Sequence, residues 1–135
     1  MIGLVIVSQG RLAIELRAAL EHVVGPQRQL ELVRIESEVD TAHDRAKLIE
    51  AVDRVDTGDG VIIVADMFGA PASDLAVSML DGRKLDVIAG VNVPSLVKLA
   101  SIGGKCSLAE AVAAAQESGR KHIRHYPDVT TRAAQ

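Results

Sequence analysis

Val61-Ile62-Ile63-Val64-Ala65 is an unbroken apolar run, with Asp59-Gly60 before it and Asp66 directly after it. A run that short and β-branched, without polar alternation, suits a strand whose sheet is covered on both faces. Gly3-Leu4-Val5-Ile6-Val7 has the same character near the start of the chain. Strands of this kind require helices above and below them, and the segments between them have helical spacing. The expected fold class is therefore α/β: a doubly wound, mainly parallel sheet layered between helices.

The elements follow from periodicity and punctuation. Residues 2 to 7 are the first strand. Leu12 to Val23 reads as a helix on the spacing of Leu12, Leu16, Ala19, Leu20 and Val23, ended by Gly25-Pro26. Leu30 to Ile35 is a short second strand. Asp40 to Val55 is a second helix, with Ala42, Ala46, Ile49 and Val52 expected to face the core. Val61 to Ala65 is the third strand, Ser73 to Leu80 a short helix, and Leu85 to Ala89 the fourth strand. Pro94 suits the first turn of a helix over Ser95 to Ala100. Ser107 with Glu110 is a capping-box pattern for a helix to Glu117, stopped by Gly119. His122-Ile123-Arg124-His125-Tyr126, polar at alternate positions, reads as a last strand at a sheet edge. A domain over 1–127 and a flexible tail over 128–135 are expected.

Composition narrows the function classes. The 135 residues suffice for one domain, and an apolar content of 48% supports a packed core. The net charge of −3, with Phe68 and Tyr126 as the aromatic residues, offers neither a basic footprint nor a stacking platform for nucleic acid. No apolar run reaches membrane-spanning length, and the start at Met1 lacks a basic leader and a cleavage signal, so a cytoplasmic protein without membrane insertion is expected. Cys106 is alone and has no sequence neighbour that marks a nucleophile. His22, His43, His122 and His125 form no metal-ligand pattern, so neither a metal nor a cofactor is expected. Gly103-Gly104-Lys105 does not have the placement of a Walker loop.

Three loops leave the C-terminal ends of apolar strands: Ser8-Gln9-Gly10-Arg11, Asp66-Met67-Phe68-Gly69-Ala70 and Gly90-Val91-Asn92-Val93. In an open parallel sheet such loops converge where the winding direction reverses. Asp66 is the carboxylate directly at one of these strand ends. Ser8, Asn92 and main-chain N–H groups near Gly10 and Gly69 are candidate donors to an anion. Each also has a plain structural reading. Asp66 and Ser8 suit capping, Asn92 suits the turn before Pro94, Phe68 suits a core lid, and Arg11 suits a solvent-facing helix position.

These loops, in this order and spacing, resemble the cytosolic IIA domain of the mannose family of the bacterial phosphoenolpyruvate-dependent sugar phosphotransferase system (PTS). The likeness is carried by Gly3-Leu4-Val5-Ile6-Val7-Ser8-Gln9-Gly10, Val64-Ala65-Asp66-Met67-Phe68-Gly69-Ala70 and Ala89-Gly90-Val91-Asn92-Val93-Pro94, and it extends to about Tyr126. It implies a four-stranded parallel core, with a C-terminal antiparallel strand over Lys121 to Tyr126 exchanged across a homodimer. It implies a histidine that takes a phosphoryl group from the phosphocarrier protein HPr and passes it to a IIB partner, its ring oriented by an aspartate matching Asp66.

The residue at the histidine's position is Gln9. An amide can imitate the hydrogen bonds of imidazole, but it is not a nucleophile and forms no phosphohistidine. Gln9 is read as a replacement in an otherwise preserved site, with a natural non-phosphorylated branch as the alternative. Gln9 and Asp66 are thus the expected catalytic positions. Ser8, Gly10, Arg11, Met67, Phe68, Gly69 and Asn92 are the expected phosphate- or partner-binding set. A second departure is Pro71, which stands where the family carries a hydroxyl residue and supplies no N–H. The leading function is a phosphoryl-relay IIA component that is inactive as written. The alternatives are a noncatalytic regulatory interaction module, the phosphocarrier domain of a dihydroxyacetone kinase system, and a hydrolase using Asp66 as a base.

Overall fold

The computed structural model describes residues 1–36, 41–80 and 82–127. The strands are β1 (Gly3–Gln9), β2 (Leu30–Ile35), β3 (Val61–Ala65) and β4 (Leu85–Ala89). The helices are α1 (Leu12–Val24), α2 (Thr41–Val55), α3 (Pro71–Val77), α4 (Val93–Ile102) and α5 (Leu108–Lys121). The strands form one sheet in the order β2-β1-β3-β4, and every pairing is parallel. No helix among the described residues is long and apolar enough to cross a membrane.

The apolar strands are covered on both faces. Alternate side chains point to opposite sides of a strand. Val5, Val7, Val61 and Ile63 pack under α2 and α3, with Leu48, Ala51, Val52, Val55, Ala72 and Ala76. Leu4, Ile6, Ile62 and Val64 pack under α1, α4 and α5, with Ala13, Leu20, Leu96, Leu99, Ala111 and Ala115. Fully burying each Val, Leu or Ile is worth roughly 1.5–3 kcal/mol. The two layers together therefore hold β1 and β3 as the middle of the domain.

The phase of α2 differs in part from the expected one. Val52 is buried and Ile49 packs half-buried against the core, as expected, but Ala42 and Ala46 are exposed, and Leu48, Ala51 and Val55 face the sheet instead. The apolar residues of this helix admit more than one stripe, and the sheet selects the one carrying the larger side chains. Asp40, the expected start of this helix, lies outside the described residues, as does the expected tail 128–135. Two helices start earlier than expected. Pro71 opens α3, and Val93 follows an Asn92 cap to open α4, so each proline lies in a first turn.

The C-terminal segment requires the largest correction. No strand forms over His122–Tyr126, and the sheet contains no antiparallel pair. The expected antiparallel edge strand is therefore not a feature of this chain's fold. Two local causes are visible. Gly119 does not stop α5; it is buried within the helix, where a Cβ would come 3.2 Å from Asn92 Oδ1 and 3.3 Å from Ser95 Cβ. The glycine therefore serves close packing of α5 on α4. Beyond it, the His122 and Ile123 N–H groups donate back to the carbonyls of Ser118 and Arg120 at 3.2 and 3.3 Å. The main chain is thus folded onto the end of its own helix rather than offered to a sheet edge.

Two outcomes test this packing. A Cβ at Gly3 would lie 2.4 Å from the Val55 carbonyl oxygen, a main-chain atom that cannot swing away. Gly3→Ala is expected to lower unfolding stability by about 1–3 kcal/mol in urea titration. The second concerns the capping box of α5. The Ser107 N–H donates to Glu110 Oε1 at 3.0 Å, and the Ser107 hydroxyl accepts from the Glu110 N–H at 3.2 Å. The main-chain bond from Ser107, then its side chain, hold the Glu110 carboxyl below its ordinary value of 4.5. A depressed folded pKa gives stability that is present above the unfolded pKa and lost as pH falls through the folded one. The melting-temperature gap between the native chain and Glu110→Gln is therefore expected to be widest near neutrality and to close on acidification.

Candidate functional site

β1 and β3 are neighbours, and the chain leaves them in opposite directions: β1 is followed by β2 on one side, while β3 is followed by β4 on the other. Their register sets Val7 beside Ala65. The residues that follow, Ser8-Gln9 and Asp66-Met67, thus emerge side by side at the C-terminal edge, at the point where the winding reverses.

Asp66 joins the two strand ends. Its Oδ1 accepts the Met67 N–H at 2.8 Å, and its Oδ2 accepts the Gln9 N–H at 3.3 Å. The link uses the Gln9 main chain, so the Gln9 side chain is not what ties β1 to Asp66. Gln9 is the last residue of β1 rather than the tip of a turn, and it is exposed. The turn itself belongs to Gly10, at φ 60°, a left-handed conformation that a side chain disfavours. Gly69, at φ 83°, plays the same part after β3. Apart from the adjoining residues of the chain, no heavy atom lies within 4 Å of the Cβ position at either glycine.

The remaining expected residues divide by what holds them. Ser8 is completely buried, and its Oγ accepts the Ala13 N–H at 2.8 Å, satisfying a first-turn donor of α1. Asn92 is the N-cap of α4. Its Oδ1 accepts the Ser95 N–H at 3.0 Å, and its amide donates to the Gly119 carbonyl at 2.9 Å. Both side chains are thus engaged in holding the rim. Arg11 projects into solvent, with its guanidinium 3.8 Å from Glu15 Oε1. Met67 and Phe68 are 65% and 86% exposed, a large apolar surface for a loop beside a carboxylate. Phe68 does not cover the core; it stands at one end of a groove of about 460 Å³ that runs along β4 between α3 and α5. Pro71 occupies the first turn of α3, where its missing N–H leaves no helix bond unmade. Ser73 is buried inside that helix rather than capping it.

The third loop is tied to the second from below. The Ala65 carbonyl accepts the N–H groups of both Gly90 and Val91, at 3.1 and 3.2 Å. The residue before Asp66 therefore anchors the turn that leads to Asn92. Sequence reading gave no sign of this link or of the Gln9–Asp66 bond, because main-chain N–H groups are the same at every non-proline residue. No group of three or more His, Cys, Asp or Glu side chains able to hold a metal ion occurs among the described residues.

Comparison with known proteins matches this architecture. The family profile EIIA-man, described as "PTS system fructose IIA component", matches residues 3–116, and the chain belongs to that family. Phosphoryl relay between HPr and a IIB partner is the general function that this membership carries. Among solved structures, a phosphotransferase system component EIIA from Streptococcus agalactiae superposes with a TM-score of 0.83 at 17% identity, covering 93% of this chain and 98% of that one. A mannose/sorbose-specific IIA subunit from Enterococcus faecalis gives 0.80 at 22% identity, covering 92% and 93%. A PTS IIA protein associated with a fucose utilization operon in Streptococcus pneumoniae gives 0.73 at 26% identity, covering 86% and 89%. No curated protein matches the sequence.

The Asn92 bridge makes a testable claim about the rim. Asn92→Ala removes the helix cap and leaves the Gly119 carbonyl without that donor. It is expected to cost about 1–2 kcal/mol in denaturant unfolding. Amide exchange should accelerate at Ser95, whose N–H loses its acceptor.

Proposed function

We propose that residues 1–127 are a IIA relay domain whose phosphoacceptor position is occupied by Gln9, so that this chain carries no phosphoryl group on that residue. The observation that supports it is the position of Asp66. Its carboxylate bonds the main chain of residue 9 at the winding reversal, beside the glycine turns of both loops. An imidazole built at that residue would stand beside a carboxylate suited to accept its N–H and orient it. The opposite ring nitrogen would face outward as the nucleophile. Main-chain N–H groups in the Gly10 and Gly69 loops are the proposed donors to the transferring oxygens. HPr and a IIB domain are the proposed partners, met in the cytoplasm, with Arg11, Met67, Phe68 and Gly69 on the surface they would touch.

A second reading is supported by the exposure of Met67 and Phe68. A loop with two large apolar residues in solvent suits a binding face, and Gln9 would then mark a module that docks relay proteins without accepting phosphate. One experiment separates the two. Gln9→His is expected to gain one phosphoryl group from phosphorylated HPr at residue 9, while the native chain gains none there. Adding Asp66→Asn to that variant is expected to slow the transfer roughly 10–100-fold, the usual scale for losing the partner that orients an imidazole. If both forms bind HPr by calorimetry and Gln9→His still takes no phosphate, the binding module is the correct reading.

A further inference from the structure

We infer that Ser8 is a positioning residue for the relay reaction: its buried hydroxyl fixes the main chain that carries and aims the side chain at residue 9. The inference rests on the reading of residue 9 as the phosphoacceptor position, and it names what holds that position in place.

α1 is capped differently from α4 and α5. The N-cap residues of those two helices, Asn92 and Ser107, hold a first-turn N–H with their own side chains. Arg11, the N-cap of α1, makes no such bond. The first-turn N–H of Ala13 donates instead to Ser8 Oγ at 2.8 Å. A bond between residues 8 and 13 spans Gln9, Gly10 and Arg11, and so joins the end of β1 directly to the start of α1. Within that span Gly10 sits at φ 60°, and glycine restrains its own backbone least of all residues. A turn built on glycine needs a tie from outside it, and Ser8 supplies that tie.

The strand decides what the tie controls. Successive side chains alternate between the two faces of a strand. Ser8 follows Leu4 and Ile6 onto the face under α1, α4 and α5, and residue 9 follows Val5 and Val7 onto the face under α2 and α3. Anchoring Ser8 inward therefore turns residue 9 to the opposite face. Ser8 and Gln9 also pair in register with Arg34 and Ile35 of β2. On the other side the β3 register ends at Val7 and Ala65, and beyond it Asp66 Oδ2 accepts the Gln9 N–H at 3.3 Å, a long bond to hold a strand end by itself. Ser8 adds a third hold, through an Ala13 that is itself buried. With 0% exposure the Ser8 hydroxyl meets no docked protein, so its effect passes through residue 9. Small displacements of a reacting group are costly in rate, which makes this hold a kinetic matter.

Two measurements test it. In the native chain, Ser8→Ala is expected to speed amide exchange roughly fivefold at Gln9 as well as at Ala13, the scale of a lost helix cap. Gln9 is the decisive amide, because its N–H bonds Asp66 and not Ser8. In the Gln9→His background, transfer from phosphorylated HPr is followed at increasing HPr concentration. There Ser8→Ala is expected to lower the maximal rate roughly tenfold while KM for HPr stays unchanged. Ser107→Ala removes a cap at the other end of the strands, beside Asp59 and Lys84, and is expected to leave the rate unchanged, which separates aim from a general loss of stability. Unaltered exchange at Gln9 overturns the proposal. So does a maximal rate that Ser8→Ala leaves intact, a loss confined to KM, or an equal loss in Ser107→Ala. Failure of Gln9→His itself to take phosphate from HPr sinks the acceptor reading instead, and exchange at Gln9 then decides alone whether Ser8 holds that residue.

Discussion

The pairing of β1 with β3 is the constraint on which the rest of the molecule depends. Both strands are apolar on both faces, so neither can sit at an edge or lie against solvent. Once they pair in parallel, each crossover has to pass over a face, and two helical layers follow. The same pairing brings the ends of two strands together while sending their continuations apart. Gln9 and Asp66 flank the gap that opens between those continuations.

Much of this was legible in the sequence. The limits of β2, β3 and β4 can be read from apolar runs and turn residues, because a strand buried on both faces leaves little freedom of phase. The three rim loops follow from that order, and Asp66 stood out as the carboxylate at a strand end. What was not legible depended on contacts between distant elements. The helical stripe of α2 needed the sheet to choose among its apolar residues. Gly119 has the appearance of a helix stop until α4 is seen pressed against it. The alternation over His122–Tyr126 is a pattern a strand would show, but a pattern supplies no pairing partner, and the main chain there bonds to Ser118 and Arg120 instead.

The rim is held by bonds that do not pass through the side chain at residue 9. Ser8 and Asn92 hold helix starts, and the Ala65 carbonyl holds the third loop. None of these bonds involves the side chain at residue 9. Residue 9 is therefore tied to the rim through its main chain, and the frame around it does not depend on its side chain.

Asn92 also bears on where this domain ends. The family match stops at residue 116, yet the carbonyl that receives the Asn92 amide belongs to Gly119. A chain trimmed at that match would keep every strand of the sheet and still lose the mooring of its third loop. The structural boundary therefore lies at least three residues beyond the end of the match, and the last turn of α5 is part of the rim at the start of α4.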